Sequence, residues 1–268
     1  MPAPSQPAVL WLVRHGESAA NVARSAAFEA GAEEVDVAER DPDVPLSPLG
    51  AAQATALGRW FAAQPAGERP TAVLASPYVR ARATAGHVVA AGAAADPAFG
   101  PADVRLDERW REKELGLFFR LTQQGVERRY PEQWALRREL GNFYYRPPNG
   151  ESGADVVLRV RAVLDAVARE HTGGRVLVVC HQITILCARY ALEAMTEAEL
   201  EAAWRRYDIG NCSLTEYRAG PDGRLALARL AYTVPVEQGD PGVAGDEAPV
   251  TREPPAGAPA GAPAGAAR

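Results

Sequence analysis

The sequence predicts an α/β fold, a three-layer α/β/α sandwich with a mostly parallel central sheet. Two observations lead there. Three short apolar runs, AVLWLV at residues 8–13, TAVLA at 71–75 and RVLVVC at 175–180, show no polar alternation, the mark of strands buried on both faces. Each is followed along the chain by helical periodicity, and repeated strand-then-helix units build a parallel sheet covered by helices on both sides. The length of 268 residues allows one large domain or two small ones and does not limit core formation.

The elements follow in chain order. After the strand at 8–13, Ser47-Pro48 reads as an N-cap with proline at the first helical position, and an amphipathic segment runs to about Gln64. The strand at 71–75 is followed by Ser76-Pro77, a second cap-plus-proline signal, opening a helix to about Ala91. Residues 104–106 suggest a third strand, and 122–140 a helix broken near Pro131. Residues 151–170 form a strong helix with Val156, Val160, Val163, Leu164 and Val167 on one face. The strand at 175–180 precedes a helix from about Gln182 to Ala194. Residues 211–218 and 224–232, joined by Gly220-Pro-Asp-Gly223, read as a terminal hairpin. The folded unit is expected over residues 8–234. The first seven residues, and residues 235–268 with their Pro-Ala-Gly-Ala repeats, carry too little large apolar surface to offset ordering entropy and are expected to be disordered.

Composition excludes some functions. With 29 basic and 34 acidic residues the net charge is −5, which argues against nucleic-acid binding, since that needs a basic footprint. No apolar run approaches the roughly 20 residues of a membrane span, and the N-terminus lacks the basic and apolar regions of a secretory signal. The three cysteines, Cys180, Cys187 and Cys212, form no CxxC pair and read as buried reduced thiols, pointing to the cytoplasm.

In parallel sheets ligands bind beyond the carboxyl ends of the strands. There the chain places Arg14-His15-Gly16-Glu17-Ser18, then Ser76-Pro-Tyr-Val-Arg80, then His181-Gln182. Only four histidines occur, and two fall at these ends. Paired histidines and arginines suit a tetrahedral dianion: guanidinium forks bind phosphate oxygens and keep their charge. A neutral imidazole can attack phosphorus. The loop Arg111-Glu112-Lys113-Glu114 offers a carboxylic acid to protonate the leaving oxygen.

Leu12-Val-Arg14-His15-Gly16-Glu17-Ser18 with Asn21, the stretch Leu46-Ser-Pro-Leu-Gly-Ala-Ala-Gln53, and Ser76-Pro-Tyr-Val-Arg80 together resemble the histidine phosphatase, or phosphoglycerate mutase-like, superfamily. Tyr130-Pro-Glu-Gln-Trp-Ala-Leu-Arg137, Tyr144-Tyr145-Arg146-Pro147-Pro-Asn-Gly150-Glu151-Ser152 and Cys180-His181-Gln182 resemble its fructose-2,6-bisphosphatase branch, without the GxxxxGK[ST] loop of a kinase half. The resemblance implies a phosphoglycerate mutase-like fold and a metal-independent phosphatase with no cofactor, acting on a small phosphate ester through a phosphohistidine. It implies His15 as nucleophile, Arg14, Arg80 and His181 as holders of the phosphoryl group, and Glu112 as proton donor. Asn21 would add a phosphate contact, and Gln182, Tyr145 and Arg146 would face the rest of the substrate. Fructose 2,6-bisphosphate or another sugar phosphate is the substrate this points to. A phosphoglycerate mutase-type phosphotransferase and a broad-specificity phosphatase are the alternatives.

Two departures bear on the substrate. Asn149 stands where the bisphosphatases often carry Lys, Thr or Gly, and residues 24–45 are longer than their counterpart, a candidate lid. Glu151 is open between a helix-terminus role and a functional one. His87, His171 and Cys180 read as non-catalytic. A neutral His15 with a protonated Glu112 implies a bell-shaped pH profile with its optimum on the acidic side of neutrality.

Overall fold

In the computed structural model, which describes residues 6–100, 103–206 and 209–233, the pleat of the strands sorts their side chains into two cores. Successive strand residues point to opposite faces. In β1 (Val9–Arg14), Val9, Trp11 and Val13 enter one core, and Leu10 and Leu12 the other. β2 (Ala72–Ala75) and β4 (Arg175–Cys180) divide in the same way, with Val73, Ala75, Leu177 and Val179 on the first side and Leu74, Val176, Val178 and Cys180 on the second. Runs that are apolar throughout are thereby explained, since both faces are covered.

The first core is closed by α2 (Pro48–Ala63) and α3 (Val79–Ala95), through Leu57, Phe61, Ala85 and Val88 among others. The second is closed by α6 (Gly153–Glu170), α7 (Gln182–Leu192) and α8 (Glu197–Arg206). On α6 the buried face is Val156, Val160, Val163 and Val167, as the periodicity predicts, each side chain contributing about 1.5–3 kcal/mol by burial. α1 (Ala19–Glu29), α4 (Gln123–Arg129) and α5 (Pro131–Tyr144) complete the helices of the described residues.

β3 (Val104–Leu106), β5 (Leu214–Ala219) and β6 (Leu225–Tyr232) join the sheet, giving the order β3-β2-β4-β1-β5-β6. The first four strands in that order run parallel, and β5 and β6 are antiparallel additions. This is the three-layer α/β/α architecture. In the parallel register Arg14 pairs with Cys180 and Ala75 with Val179. The residues that follow, His15, Ser76 and His181, therefore emerge side by side at one edge.

Several expectations are refined. Ser47 caps α2 by accepting from Gly50 N at 3.0 Å. Ser76 does not cap α3, whose N-cap is Tyr78. The Ser76 hydroxyl instead accepts from Tyr78 N and meets His181. α1 and α8 went unpredicted. The segment 24–45 is largely built in: the latter half of α1 and Val35, Val37 and Val44 form a small core with Ala27, and Glu34 bridges to Leu121. The expected disorder of residues 1–5 and of 235–268 lies outside the described residues. Of the N-terminal seven, Gln6 and Pro7 are placed, with Gly173 N donating to Gln6 O at 2.9 Å. Among the described residues no helix is long and apolar enough to cross a membrane.

Candidate active site

At the carboxyl edge of the parallel strands a cavity of about 300 Å³ opens, lined by Arg14, His15, Asn21, Arg80, Glu112, Tyr145 and Gln182. Six basic side chains (Arg14, Arg24, Arg80, Lys113, Arg137, Arg205) face two acidic ones (Asp41, Glu112) around it. The cavity is thus positive in a chain whose net charge is −5, which suits an anionic ligand.

His15 is 5% exposed. Its Nδ1 lies 2.7 Å from Gly16 O. A carbonyl only accepts, so Nδ1 carries the proton and Nε2 is the bare nitrogen. Burial, then the charges of Arg80 and Arg14, push its pKa well below the usual histidine value, against the opposing bond to Gly16. The ring is neutral at physiological pH.

The loop that carries it is clamped from four sides. His15 N donates to Cys180 O, Asn211 Nδ2 to His15 O, Gly16 N to Thr84 Oγ1 and Arg14 Nη1 to Ile209 O, all within 2.7–3.0 Å. The start of α2 abuts the same loop: Ser47 N donates to Glu17 O, and Glu17 N to Gln53 Oε1. A Cβ on Gly16 would lie 2.4 Å from Gly50 O, and one on Gly50 would lie 1.9 Å from Glu17 O. The two glycines let the backbones touch, which ties the Leu46–Gln53 stretch physically to the nucleophile loop.

His181 is fully buried behind His15, their ring centroids 5.2 Å apart, and is not itself among the residues of the cavity wall. The Ser76 hydroxyl accepts from Tyr78 N, which leaves its proton for His181 Nε2 at 2.8 Å. The other ring nitrogen, Nδ1, is buried with no hydrogen-bond partner among the described residues. Burial and the nearby Arg80 keep this ring neutral as well. Arg80 is held by Asp41: Nη2 pairs with Oδ1 at 2.8 Å and Nη1 donates to the Asp41 carbonyl at 2.6 Å. Its guanidinium lies over the Tyr78 ring.

Glu112 is the carboxyl of its loop that enters the cavity. Burial raises its pKa, outweighing the bond from Lys113 N at 2.9 Å and the charge of Arg80. Glu151 resolves to a positioning role. It accepts from Arg111 Nη2 at 2.6 Å and from Arg159 Nε and Nη2 at 3.0 and 2.9 Å. Arg159 in turn donates to the carbonyls of Arg109, Arg111 and Glu112. This pair fastens the loop that presents Glu112.

The remaining predicted residues divide. Asn21 lines the cavity, but its Oδ1 accepts from Ser18 N and Oγ in a capping box at the start of α1, so only its Nδ2 is left for an anion. Gln182 and Tyr145 line the wall, and the Tyr145 hydroxyl donates to Gln133 Oε1 at 3.0 Å. Arg146 is a correction: it is absent from the cavity wall, its guanidinium forked onto Asp155 at 2.8 and 2.6 Å near the start of α6. The tether is electrostatic, since Asp155 is the nearer anion. Cys180, Cys187 and Cys212 are free and buried. Sequence reasoning missed Arg24, Asp41, Lys113, Arg137, Trp204 and Arg205 in the wall, and Thr84 and Asn211 behind it. Only Thr84 carried a readable signal, four residues after Arg80 on the same helix face.

The family model described as histidine phosphatase superfamily (branch 1) matches residues 10–231. A phosphoglycerate mutase-like protein of Arabidopsis thaliana is 30% identical over 235 residues, 81% of this chain and 76% of that protein. Human 6-phosphofructo-2-kinase/fructose-2,6-bisphosphatase 3 is 39% identical over 83 residues, 30% of this chain. That match spans only 15% of the human protein's length. Among solved structures, a mycobacterial glucosyl-3-phosphoglycerate phosphatase with VO3 superposes with a TM-score of 0.62 at 25% identity, covering 84% of this chain and 100% of that one. The chain belongs to the histidine phosphatase superfamily, branch 1.

Proposed function

We propose that this histidine phosphatase hydrolyses a small phosphomonoester in two displacements at His15, without a metal. The bare Nε2 attacks phosphorus, the ester P–O bond breaks, and the leaving oxygen takes the proton of Glu112. Water then attacks the phosphohistidine, giving its proton back to Glu112, and the P–N bond breaks to release phosphate. Arg14 and Arg80 stabilise the charge on the transferring group, with Asn21 Nδ2 as a further donor. The observation that carries the proposal is the tautomer: His15 holds its Nδ1 proton on Gly16 O, which leaves Nε2 free in a cavity lined by arginines and by a carboxyl whose pKa burial raises. Three buried free thiols fit a reducing compartment such as the cytoplasm.

Partial identity to the human bifunctional protein makes fructose 2,6-bisphosphate the first substrate to assay. Phosphate release in the presence of EDTA, with His15→Ala as control, tests the proposal. The expected result is release by the wild type and none by the variant. Loss of activity in EDTA would contradict the metal-free mechanism, and an isomerised ester without free phosphate would favour the mutase alternative. Silence on this ester moves the search to other sugar and carboxylate phosphates.

A further inference from the structure

We propose that Lys113 forms a second anion-binding subsite in the cavity, so that the preferred substrate carries a carboxylate or a further phosphate besides the phosphoryl group that is removed. The proposal rests on the phosphatase reading above and names the substrate class within it.

Lys113 is only 6% exposed, yet it lines the cavity. Lysines are almost never buried unless paired. This one makes no ion pair and no side-chain hydrogen bond among the described residues. Its Nζ lies over the Trp204 ring, 5.6 Å from the centroid, an interaction worth only about 0.5–2 kcal/mol. The carboxyls near it make no ion pair with it. Burial raises the Glu112 pKa, and Glu201 accepts from Phe143 N at 2.7 Å and from Asn142 Nδ2 at 3.2 Å. The nearest strong charge has the same sign: after burial, Arg137 does most to lower the lysine's pKa, to about 8. The ammonium therefore stays protonated at neutral pH.

A buried cation that makes no ion pair costs stability. An incoming anion removes that cost. Lys113 directly follows Glu112 and lines the same cavity, so one substrate can meet both. The residues that the sequence suggested for the rest of the substrate do not supply the charge. Arg146 is held by Asp155 outside the wall, and Asn149 does not line the cavity. Lys113 is thus a buried cation of the wall in position to read a second negative group.

Matched esters test this. The pairs are 3-phosphoglycerate against glycerol 3-phosphate, and fructose 2,6-bisphosphate against fructose 6-phosphate. In each pair one member carries the extra anion, a carboxylate in the first and a phosphate in the second. The wild type is expected to favour the two-anion member of at least one pair, and the pair concerned identifies the anion. Lys113→Met should erase that preference by about 10–100-fold, the worth of a hydrogen bond to a charged group, chiefly through KM. Lys113→Arg should restore much of it. A wild type indifferent to the second anion in both pairs would overturn the proposal, as would a Lys113→Met variant that slows both members of a pair equally, the mark of a merely structural role. If no ester is hydrolysed, p-nitrophenyl phosphate included, it is the phosphatase reading that fails. Calorimetric binding of the same pairs to His15→Ala and to His15→Ala with Lys113→Met then still reads the subsite: equal affinities within both pairs overturn it.

Discussion

Glu112→Gln separates the proton donor from everything else in the site. The substitution keeps the shape and one acceptor: the amide oxygen can still accept from Lys113 N, as Oε1 does at 2.9 Å. The other oxygen makes only a long contact of 3.4 Å from Ile183 N, so an NH2 group there costs little. What is lost is the proton. General acid catalysis contributes about 10²–10⁴-fold, or about 2.7–5.4 kcal/mol at 1.36 kcal/mol per decade. The loss should appear in full with a sugar phosphate, whose alkoxide must be protonated as it leaves. With p-nitrophenyl phosphate, whose phenolate departs unaided, it should stay below about tenfold.

The pH profile adds a second reading. The wild type should lose activity as pH rises through the elevated pKa of Glu112, and the variant should lack that limb. Stability falls over the same pH range. A carboxyl whose folded pKa is raised contributes stability below its unfolded value, near 4.5, and loses it as pH rises through the folded pKa. At neutral pH Glu112→Gln should therefore melt no lower than the wild type. Equal losses on both esters, or an alkaline limb that survives in the variant, would refute Glu112 as the donor.

Other perturbations test the frame around it. Glu151→Gln strands Arg159 and Arg111 beside a neutral partner and should cost about 3–5 kcal/mol in urea unfolding, with kcat reduced more than KM because the Glu112 loop loosens. Burial raises the Glu151 pKa, but its bonds to Arg159 and the charges of Arg159 and Arg111 outweigh it and leave it lowered. Its contribution is thus present above pH about 4.5 and lost in acid, and the gap between variant and wild type should close below that pH. Gly50→Ala sets a methyl 1.9 Å from Glu17 O, a backbone atom that cannot swing away. It should cost about 3 kcal/mol or more, lowering Tm by at least about 6 °C in a domain of this size.

The strands and the two histidines at their ends were legible because the forces that place them are local and strong. A strand buried on both faces must be apolar throughout, and a residue just past its end must sit at the sheet edge. Arg14, His15 and His181 follow from that, and Arg80 from the resemblance of Ser76-Pro-Tyr-Val-Arg80 to the family. α1 was hidden because its stretch is rich in small residues and packs only the minor core of Ala27, Val35, Val37 and Val44. Ser76-Pro77 looked like a cap, but the hydroxyl is taken by Tyr78 N and His181, a contact made 105 residues away along the chain. Arg146 read as a substrate contact, and the fork onto Asp155 overrode it. Asp41, Lys113 and Trp204 reach the cavity from three separate segments, and no spacing in the sequence brings them together.

The central claim is that His15 Nε2 becomes phosphorylated. Rapid acid-free quenching of the enzyme with radiolabelled substrate, followed by peptide mass analysis, tests it most directly. The account predicts one phosphoryl group on the peptide containing His15, stable to alkali and labile to acid, and absent from His15→Ala. Turnover with no label on the protein, or label on another residue, would contradict it.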